Sequence, residues 1–125
     1  MNVFVVEDSS AMRQRLLAAL EELPEVRVVG WAEGADDAMA AIRVAEPHFV
    51  VLDLQLAQGS GLFVLGTIKE LDPPPVVAVL SNYPQDQYRK RCAELGADFF
   101  FDKAEGLDAL LAVCRVTAEA AEPRA

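Results

Sequence analysis

The chain has 125 residues, 53% of them apolar, and a formal net charge of −9. This length suits one domain with a substantial core, and the apolar content excludes a disordered chain. The acidic balance argues against nucleic-acid binding, no apolar run approaches the roughly 20 residues that span a bilayer, and the N-terminus lacks the features of a signal peptide. We therefore expect no direct binding to nucleic acid and no membrane segment.

Apolar runs alternate with stretches of helical periodicity along the chain. The runs lie near residues 2–6, 26–31, 48–53, 76–80 and 98–101. Four runs are apolar throughout, as in parallel strands covered on both faces, whereas the second contains Arg27 and suits an edge strand. The stretches between them predict five helices, the first capped by Ser9 or Ser10 and the fourth ended by Gly96. Strict alternation predicts an α/β fold of three layers, with helices on both faces of a parallel sheet.

Two cysteines occur, Cys92 and Cys114, both within helical patterns and without metal-ligand spacing. Reduced, half-buried thiols are typical of a reducing compartment, so we expect a cytoplasmic protein. The domain is expected to cover residues 1–121 and the tail residues 122–125, with fraying from Ala118 because Pro123 bars further helix.

Polar residues stand where the predicted strands end. Glu7 and Asp8 follow the first run, Asp53 ends the third, Ser81 follows the fourth and Lys103 follows the fifth. In open parallel sheets, ligands bind beyond the carboxyl ends of the strands. The sequence therefore predicts one polar site at that edge of the sheet.

The residue types at this edge are suited to phosphoryl chemistry. Three crowded carboxylates repel one another, and Mg²⁺ relieves this while leaving room for a phosphate oxygen. An Asp carboxylate is a nucleophile for phosphoryl groups, and transfer needs mainly positioning and charge neutralisation. We expect Asp53 to be the nucleophile, with Lys103 as a point charge and the Ser81 hydroxyl as a hydrogen-bond donor. Mg²⁺ is the expected ion and Mn²⁺ an alternative.

Here the chain resembles the receiver domain of bacterial two-component response regulators over nearly its whole length. The matching segments are Val6-Glu7-Asp8-Ser9, Val51-Leu52-Asp53-Leu54, Gly61-Leu62, Leu80-Ser81-Asn82, Gly96-Ala97-Asp98 and Phe101-Asp102-Lys103. The resemblance implies a five-stranded, flavodoxin-like sheet in the order 2-1-3-4-5. It also implies that the chain is a signalling phosphoacceptor rather than an enzyme.

The resemblance assigns roles to individual residues. Asp53 would accept the phosphoryl group, and Ser81 and Lys103 would bind it. Asp8, Asp53 and the backbone carbonyl of Gln55 would bind Mg²⁺ directly, and Glu7 through a water molecule. Phe100 falls on the switch position, three residues before the lysine.

The chain departs from the family pattern around the phosphoryl site. Ala104 replaces the usual cis proline after the lysine, and a cis bond before a non-proline residue costs about 2.5–4 kcal/mol, so we expect a trans bond and a looser loop. Asn82 and Tyr83 are larger than usual and are expected to control access to the phosphoryl group. Phe100 replaces the more common tyrosine and offers no hydroxyl.

The resemblance also implies partners. A sensor histidine kinase or a phosphotransfer protein would supply the phosphoryl group. This sequence holds no DNA-binding or enzymatic output domain. If the chain is complete, output is expected through a downstream protein bound in trans by the fourth helix, fifth strand and fifth helix. The densest basic run, Arg89-Lys90-Arg91, lies on that face and is a candidate partner surface or simply a solvated helix face.

Three alternatives remain open. A phosphohydrolase of the haloacid dehalogenase type would need a second Asp at position 55, where this chain has Gln55. A flavodoxin-like electron carrier would need a phosphate loop without the acidic pair Glu7-Asp8. A pseudo-receiver would use the same fold as an interaction module without phosphorylation. His48, the single histidine, lies at a strand start on the opposite edge, which disfavours a histidine phosphocarrier.

Overall fold

A computed structural model describes residues 1–83 and 86–121 and shows strands and helices in strict alternation. The elements are β1 (Asn2–Val6), α1 (Ser10–Glu21), β2 (Arg27–Ala32), α2 (Ala35–Ala45), β3 (Phe49–Asp53), α3 (Gly61–Ile68), β4 (Val76–Ser81), α4 (Asp86–Glu94), β5 (Phe99–Asp102) and α5 (Leu107–Ala121). The five predicted strands and five predicted helices are thus all present. No helix among these residues is both long and apolar enough to span a bilayer.

The five strands form one parallel sheet in the order β2-β1-β3-β4-β5, as predicted. β2, which begins at Arg27, is an edge strand, as predicted. At the carboxyl ends, Val6 pairs with Leu52, Asp53 with Leu80, and Ser81 with Asp102. This register brings the ends of β1, β3, β4 and β5 to a common edge, where the chain turns towards the helices.

Apolar side chains cover both faces of the sheet and confirm the three layers. On one face, β-strand residues such as Val50 and Leu52 pack with residues of α2, α3 and α4, including Cys92. On the other, Val51 and Leu80 pack with α1 and α5, including Cys114. Both cysteines are free and fully buried rather than half-buried, because each points into one of these cores.

Local signals explain where several helices begin and end. The Ser9 hydroxyl accepts a hydrogen bond from the Met12 amide at 3.3 Å and caps α1, and Ser60 caps α3 in the same way. Gly61 opens α3 where a Cβ atom would lie 2.5 Å from the Leu54 carbonyl, so only glycine fits there. Gly96 lies two residues after the end of α4 and has φ +99°, the left-handed conformation that favours glycine.

β5 lies at the sheet edge, as the predicted strand order requires, and is half-buried, with apolar side chains packed on both faces of the sheet. One expectation about the C-terminal part was wrong. α5 continues to Ala121, and Ala118 is 1% exposed, so the predicted fraying from Ala118 is incorrect; packing against the core holds this turn. The tail predicted at 122–125 lies outside the described residues.

Candidate functional site at the carboxyl edge of the sheet

The predicted site residues lie together at the carboxyl edge. Asp53 and Ser81 are the last residues of β3 and β4, and Lys103 directly follows β5. Glu7 and Asp8 follow β1, immediately before the cap of α1. The edge placement follows from the strand register, because parallel strands all end on the same side.

Three carboxylates form the centre of the site. One oxygen from each of Glu7, Asp8 and Asp53 lies within 4.8 Å of the other two. Glu7 is fully buried and Asp53 is 1% exposed. Glu7 Oε1 is buried and, among the described residues, lies in an ion pair with the Lys103 ammonium but accepts no hydrogen bond of good geometry. Crowded carboxylate oxygens, one of them with unused acceptor capacity, are the donor set that fits Mg²⁺.

Lys103 neutralises part of this negative charge. Its Nζ atom lies 3.1 Å from Asp53 Oδ2 and 2.8 Å from Glu7 Oε1, and its side chain is 12% exposed. The same Nζ donates a hydrogen bond to Glu7 Oε2 at 2.9 Å. One ammonium group therefore compensates two buried carboxylates, which leaves the cluster with net negative charge.

The loop that carries Lys103 is held by backbone contacts. The Lys103 amide donates to the Ser81 carbonyl at 2.8 Å. The Asp102 carboxylate accepts a hydrogen bond from the Ala104 amide at 2.9 Å, closing a turn that the sequence analysis missed. Among the described residues Asp72–Pro73 is the only cis peptide bond, so the bond before Ala104 is trans, as expected.

The environment changes the pKa values of the cluster. Burial, together with the neighbouring Glu7 carboxylate, raises the pKa of Asp53 to about 7, despite the opposing effect of Lys103. Burial has the largest single effect on Asp8 and would raise its pKa. The hydrogen bond from the Ala57 amide at 2.8 Å, the hydrogen bonds with Asp53 and Glu7 and the charge of Lys103 together outweigh burial, so the pKa of Asp8 is lowered. The pKa of Lys103 is raised, because its contacts with Glu7 and Asp53 outweigh its burial.

Ser81 lies in a hydrogen-bond network with Gln55, which the sequence analysis considered only for its backbone carbonyl. The Gln55 Nε2 atom lies 3.2 Å from the Ser81 hydroxyl, and Gln55 Oε1 accepts from the Asn82 amide at 3.0 Å. Asn82 and Tyr83 are exposed, and the Tyr83 ring lies 6.4 Å from that of Tyr88. No signal in the sequence indicates these side-chain contacts, since they depend on the paths of two loops.

Arg13 is a further neighbour of the site that the sequence did not reveal. It is 8% exposed and donates from Nη1 to the Glu7 carbonyl at 3.1 Å. Its guanidinium lies 4.0 Å from the centre of the Trp31 ring and 3.2 Å from the Glu33 carboxylate. Arg13 thus fixes the backbone of Glu7 from α1, although an arginine in a helix usually indicates an exposed position.

The predicted switch and partner residues lie next to each other. Phe100 is half-buried in β5, and the Arg89 guanidinium lies 4.7 Å from the centre of its ring. Arg89, Lys90 and Arg91 are all exposed on α4. His48 lies at the other edge, where its Nδ1 accepts a hydrogen bond from the Asn2 amide at 2.9 Å.

The fold and the carboxylate cluster define a doubly wound α/β protein with an acidic site at its carboxyl edge. A family model for the response regulator receiver domain matches residues 3–115. The chain belongs to this family and is a receiver domain of the two-component type. It has the acidic pocket at which receiver domains bind Mg²⁺.

One curated relative agrees with this assignment, and two solved structures share the fold. The chain is 33% identical over 106 residues to a protein-glutamate methylesterase/protein-glutamine glutaminase of Geobacter sulfurreducens. The matched region covers 84% of this chain and 28% of that protein. The receiver domain of the putative response regulator NarL from Mycobacterium tuberculosis has a TM-score of 0.85 at 22% identity and covers 94% of this chain and 95% of that one. A chain of the CheX–CheY–BeF₃–Mg complex from Borrelia burgdorferi has a TM-score of 0.79 at 23% identity. The match covers 91% of this chain and 89% of that chain.

The chain spans less than a third of the Geobacter relative's length. The catalytic activity in that relative's name belongs to the whole protein. What this chain shares with it is the receiver domain.

Proposed function

We propose that this chain is a phosphoacceptor, in which Mg²⁺-dependent phosphorylation of Asp53 changes the surface formed by α4, β5 and α5 and thereby its binding of a partner protein in trans. The observation that carries the proposal is the buried Asp53 carboxylate, in contact with Lys103 and beside the two other carboxylates of the cluster. A nucleophile, a positive charge and a metal-binding donor set thus meet at one point.

The chemistry follows from these positions. An Asp53 oxygen attacks the phosphorus of a phosphohistidine, the phosphorus–nitrogen bond breaks, and the imidazole leaves and takes up a proton. Asp8, Asp53 and the Gln55 carbonyl would hold Mg²⁺, with Glu7 acting through water, and the bound ion would supply positive charge for the phosphoryl oxygens. Lys103, now 3.1 Å from the carboxylate, would contact a phosphoryl oxygen, and the Ser81 hydroxyl would donate to another.

The test is phosphorylation with a small phosphodonor in the presence of Mg²⁺, followed by mass spectrometry of the intact protein. The wild type is expected to gain one phosphoryl group, and Asp53→Asn none. Asp108→Asn, which changes an exposed carboxylate at the start of α5, is the matched control and should be labelled like the wild type. Equal labelling of Asp53→Asn, or labelling undiminished by a chelator, would contradict the proposal, and a wild type that gains no phosphoryl group would contradict it and favour a pseudo-receiver.

The phosphoryl donor in the cell is proposed to be a sensor histidine kinase or a phosphotransfer protein. Profiling this protein against the sensor kinases of its own organism would identify the donor by rapid, selective transfer to the wild type and none to Asp53→Asn. The downstream partner is proposed to be a protein, in keeping with the presence of CheX in the Borrelia complex.

Switching is proposed to pass through Ser81 and Phe100. Movement of Ser81 towards the phosphoryl group would open space for the Phe100 ring, and Phe100 has no hydroxyl to leave unsatisfied when it turns inward. The inward ring would leave the Arg89 guanidinium, which now lies against it, and so alter the basic face of α4. Fluoroberyllate with Mg²⁺ should therefore shift the amide NMR signals of residues 86–91 and 98–103 together. Shifts confined to the carboxylate cluster would contradict this route.

A further inference from the structure

The hydrogen-bonding capacity of the Ser81 hydroxyl is already used. A serine hydroxyl has one hydrogen to donate and two lone pairs to accept. Gln55 Nε2 lies 3.2 Å from this oxygen and the Tyr83 amide donates to it at 3.0 Å, which fills the acceptor positions. The Tyr83 carbonyl at 3.1 Å and Gln55 Oε1 at 3.3 Å are the acceptors for its hydrogen. Ser81 is fully buried, so no water molecule is needed to satisfy it.

Gln55 connects this serine to both loops around Asp53. Its side-chain oxygen also accepts from the Asn82 amide at 3.0 Å, and its own amide donates to Asp53 Oδ1 at 3.1 Å. One residue of the β3–α3 loop therefore holds the acceptor carboxylate through its backbone, and Ser81 and Asn82 through its side chain. A phosphoryl group on Asp53 would gain the Ser81 hydroxyl only after the hydroxyl leaves these contacts.

We propose that the Gln55 side chain is a positioning residue that holds Ser81 and Asn82 in the unphosphorylated arrangement, so that it opposes capture of Ser81 by a phosphoryl group on Asp53. The inference rests on the proposed function of Asp53. It gives Gln55 two separate roles, a backbone carbonyl offered to Mg²⁺ and an amide side chain that restrains the switch. The second role predicts that removing only the amide group makes switching easier.

Gln55→Met is the informative variant, because methionine keeps the length of the side chain and the backbone carbonyl but neither donates nor accepts strongly. Gln55 is half-buried, so this change should be tolerated by the fold. Gln58→Met, in the same loop at an exposed position, is the matched control. Gln55→Ala is the second variant and removes the same hydrogen bonds through a different side chain.

Two measurements test the proposal. Without ligand, the Asn82 amide should exchange its hydrogen faster in Gln55→Met and Gln55→Ala than in the wild type and Gln58→Met. With Mg²⁺ present, both Gln55 variants should bind fluoroberyllate about three- to tenfold more tightly than the wild type, since one or two neutral hydrogen bonds no longer oppose the movement. Gln58→Met should bind like the wild type.

The outcomes separate the restraint from the phosphoacceptor function. Unchanged or weaker fluoroberyllate binding by both Gln55 variants would overturn the restraint, because the side chain would then be neutral or would support the bound state. An unchanged Asn82 exchange rate would overturn it as well. Failure of the wild type itself to bind fluoroberyllate and to be phosphorylated would instead overturn the proposed function.

Discussion

At the level of single residues, the balance of charge around Asp53 sets the pKa of its carboxyl group. Two buried carboxylates, Glu7 and Asp53, share the single ammonium group of Lys103. Removing a carboxylate from water without a full partner disfavours its charged form, and the pKa of Asp53 rises to about 7 for this reason and because Glu7 is near. A divalent cation bound at this cluster would supply the missing positive charge, so metal binding and proton release would be coupled.

This coupling predicts that Mg²⁺ affinity depends on pH. Below about pH 7 Asp53 carries a proton that the metal must displace, whereas Asp8, with its lowered pKa, is already ionised. We expect the apparent Mg²⁺ affinity to rise with pH, by up to about tenfold per unit below pH 7, and to level off above it. Calorimetric titration between pH 5.5 and 8.5 measures this. The dependence in that window should vanish in Asp53→Asn, and a flat profile in the wild type would contradict the coupling.

The residues after Ser81 are predicted to set the lifetime of the phosphorylated form. Hydrolysis needs a water molecule in line with the bond between the Asp53 oxygen and phosphorus. Asn82 and Tyr83 directly follow Ser81 and are exposed, and the Tyr83 ring lies 6.4 Å from that of Tyr88, so we propose that these two side chains shield the bond from water. We expect Asn82→Ala and Tyr83→Ala to release phosphate severalfold faster than the wild type, measured as decay of the phosphorylated species in the intact mass. If neither substitution accelerates release, the side chains do not shield the bond.

At the level of elements, the sequence was sufficient to predict which residues reach the edge but not how their side chains pair. Runs of Val, Phe and Leu identify the strands, and parallel order brings Asp53, Ser81 and Lys103 together whatever the loops do. Contacts such as the one between Gln55 and Ser81 depend on the conformations of the loops. Loops have no repeating sequence pattern from which their conformation can be predicted. The half-burial of β5 and the last turn of α5 depend on which neighbours cover them, which is a property of the assembled layers.

The helices are also unequally anchored, and this predicts different reactivity of the two thiols. Within α4 Cys92 is the only buried residue, whereas α5 buries Leu110, Cys114 and Ala118. Burial raises the pKa of the Cys92 thiol, and that of Cys114 to about 11, so neither reacts while its helix is in place. Since α4 has less apolar area to expose, it should open locally more often than the whole fold unfolds.

We therefore expect iodoacetamide to modify Cys92 at least about tenfold faster than Cys114 under native conditions, because local openings cost less free energy than global unfolding. Peptide mapping by mass spectrometry of the wild-type protein gives both rates at once. In urea, where the chain is unfolded, the two rates should converge, which controls for intrinsic reactivity. Equal native rates would mean that α4 opens only together with the rest of the fold.

At the level of the whole molecule, we expect the buried Asp53 carboxylate to lower the free energy of unfolding when it is ionised and no metal is bound. The sheet is covered on both faces, so the fold itself rests on the two apolar cores. The carboxylates at the edge add charge that the cores do not need. Because the folded pKa of Asp53, about 7, lies above the value of roughly 3.9 expected in the unfolded chain, the folded state binds more protons than the unfolded state between these pH values.

Stability should therefore fall as pH rises from about 4 to 7 through this group, and at pH 8 without metal Asp53→Asn should be more stable than the wild type. Each pKa unit corresponds to 1.36 kcal/mol, which sets the expected gain at roughly 1–4 kcal/mol. Mg²⁺ at a hundred times its dissociation constant should stabilise the wild type by about 2.7 kcal/mol and Asp53→Asn by much less, because the variant lacks one of the three carboxylates. Urea denaturation at pH 8, with and without Mg²⁺, measures both effects, and Asp108→Asn should follow the wild type in each. A metal-free Asp53→Asn that is no more stable than the wild type would mean that Lys103 already compensates the buried charge in full.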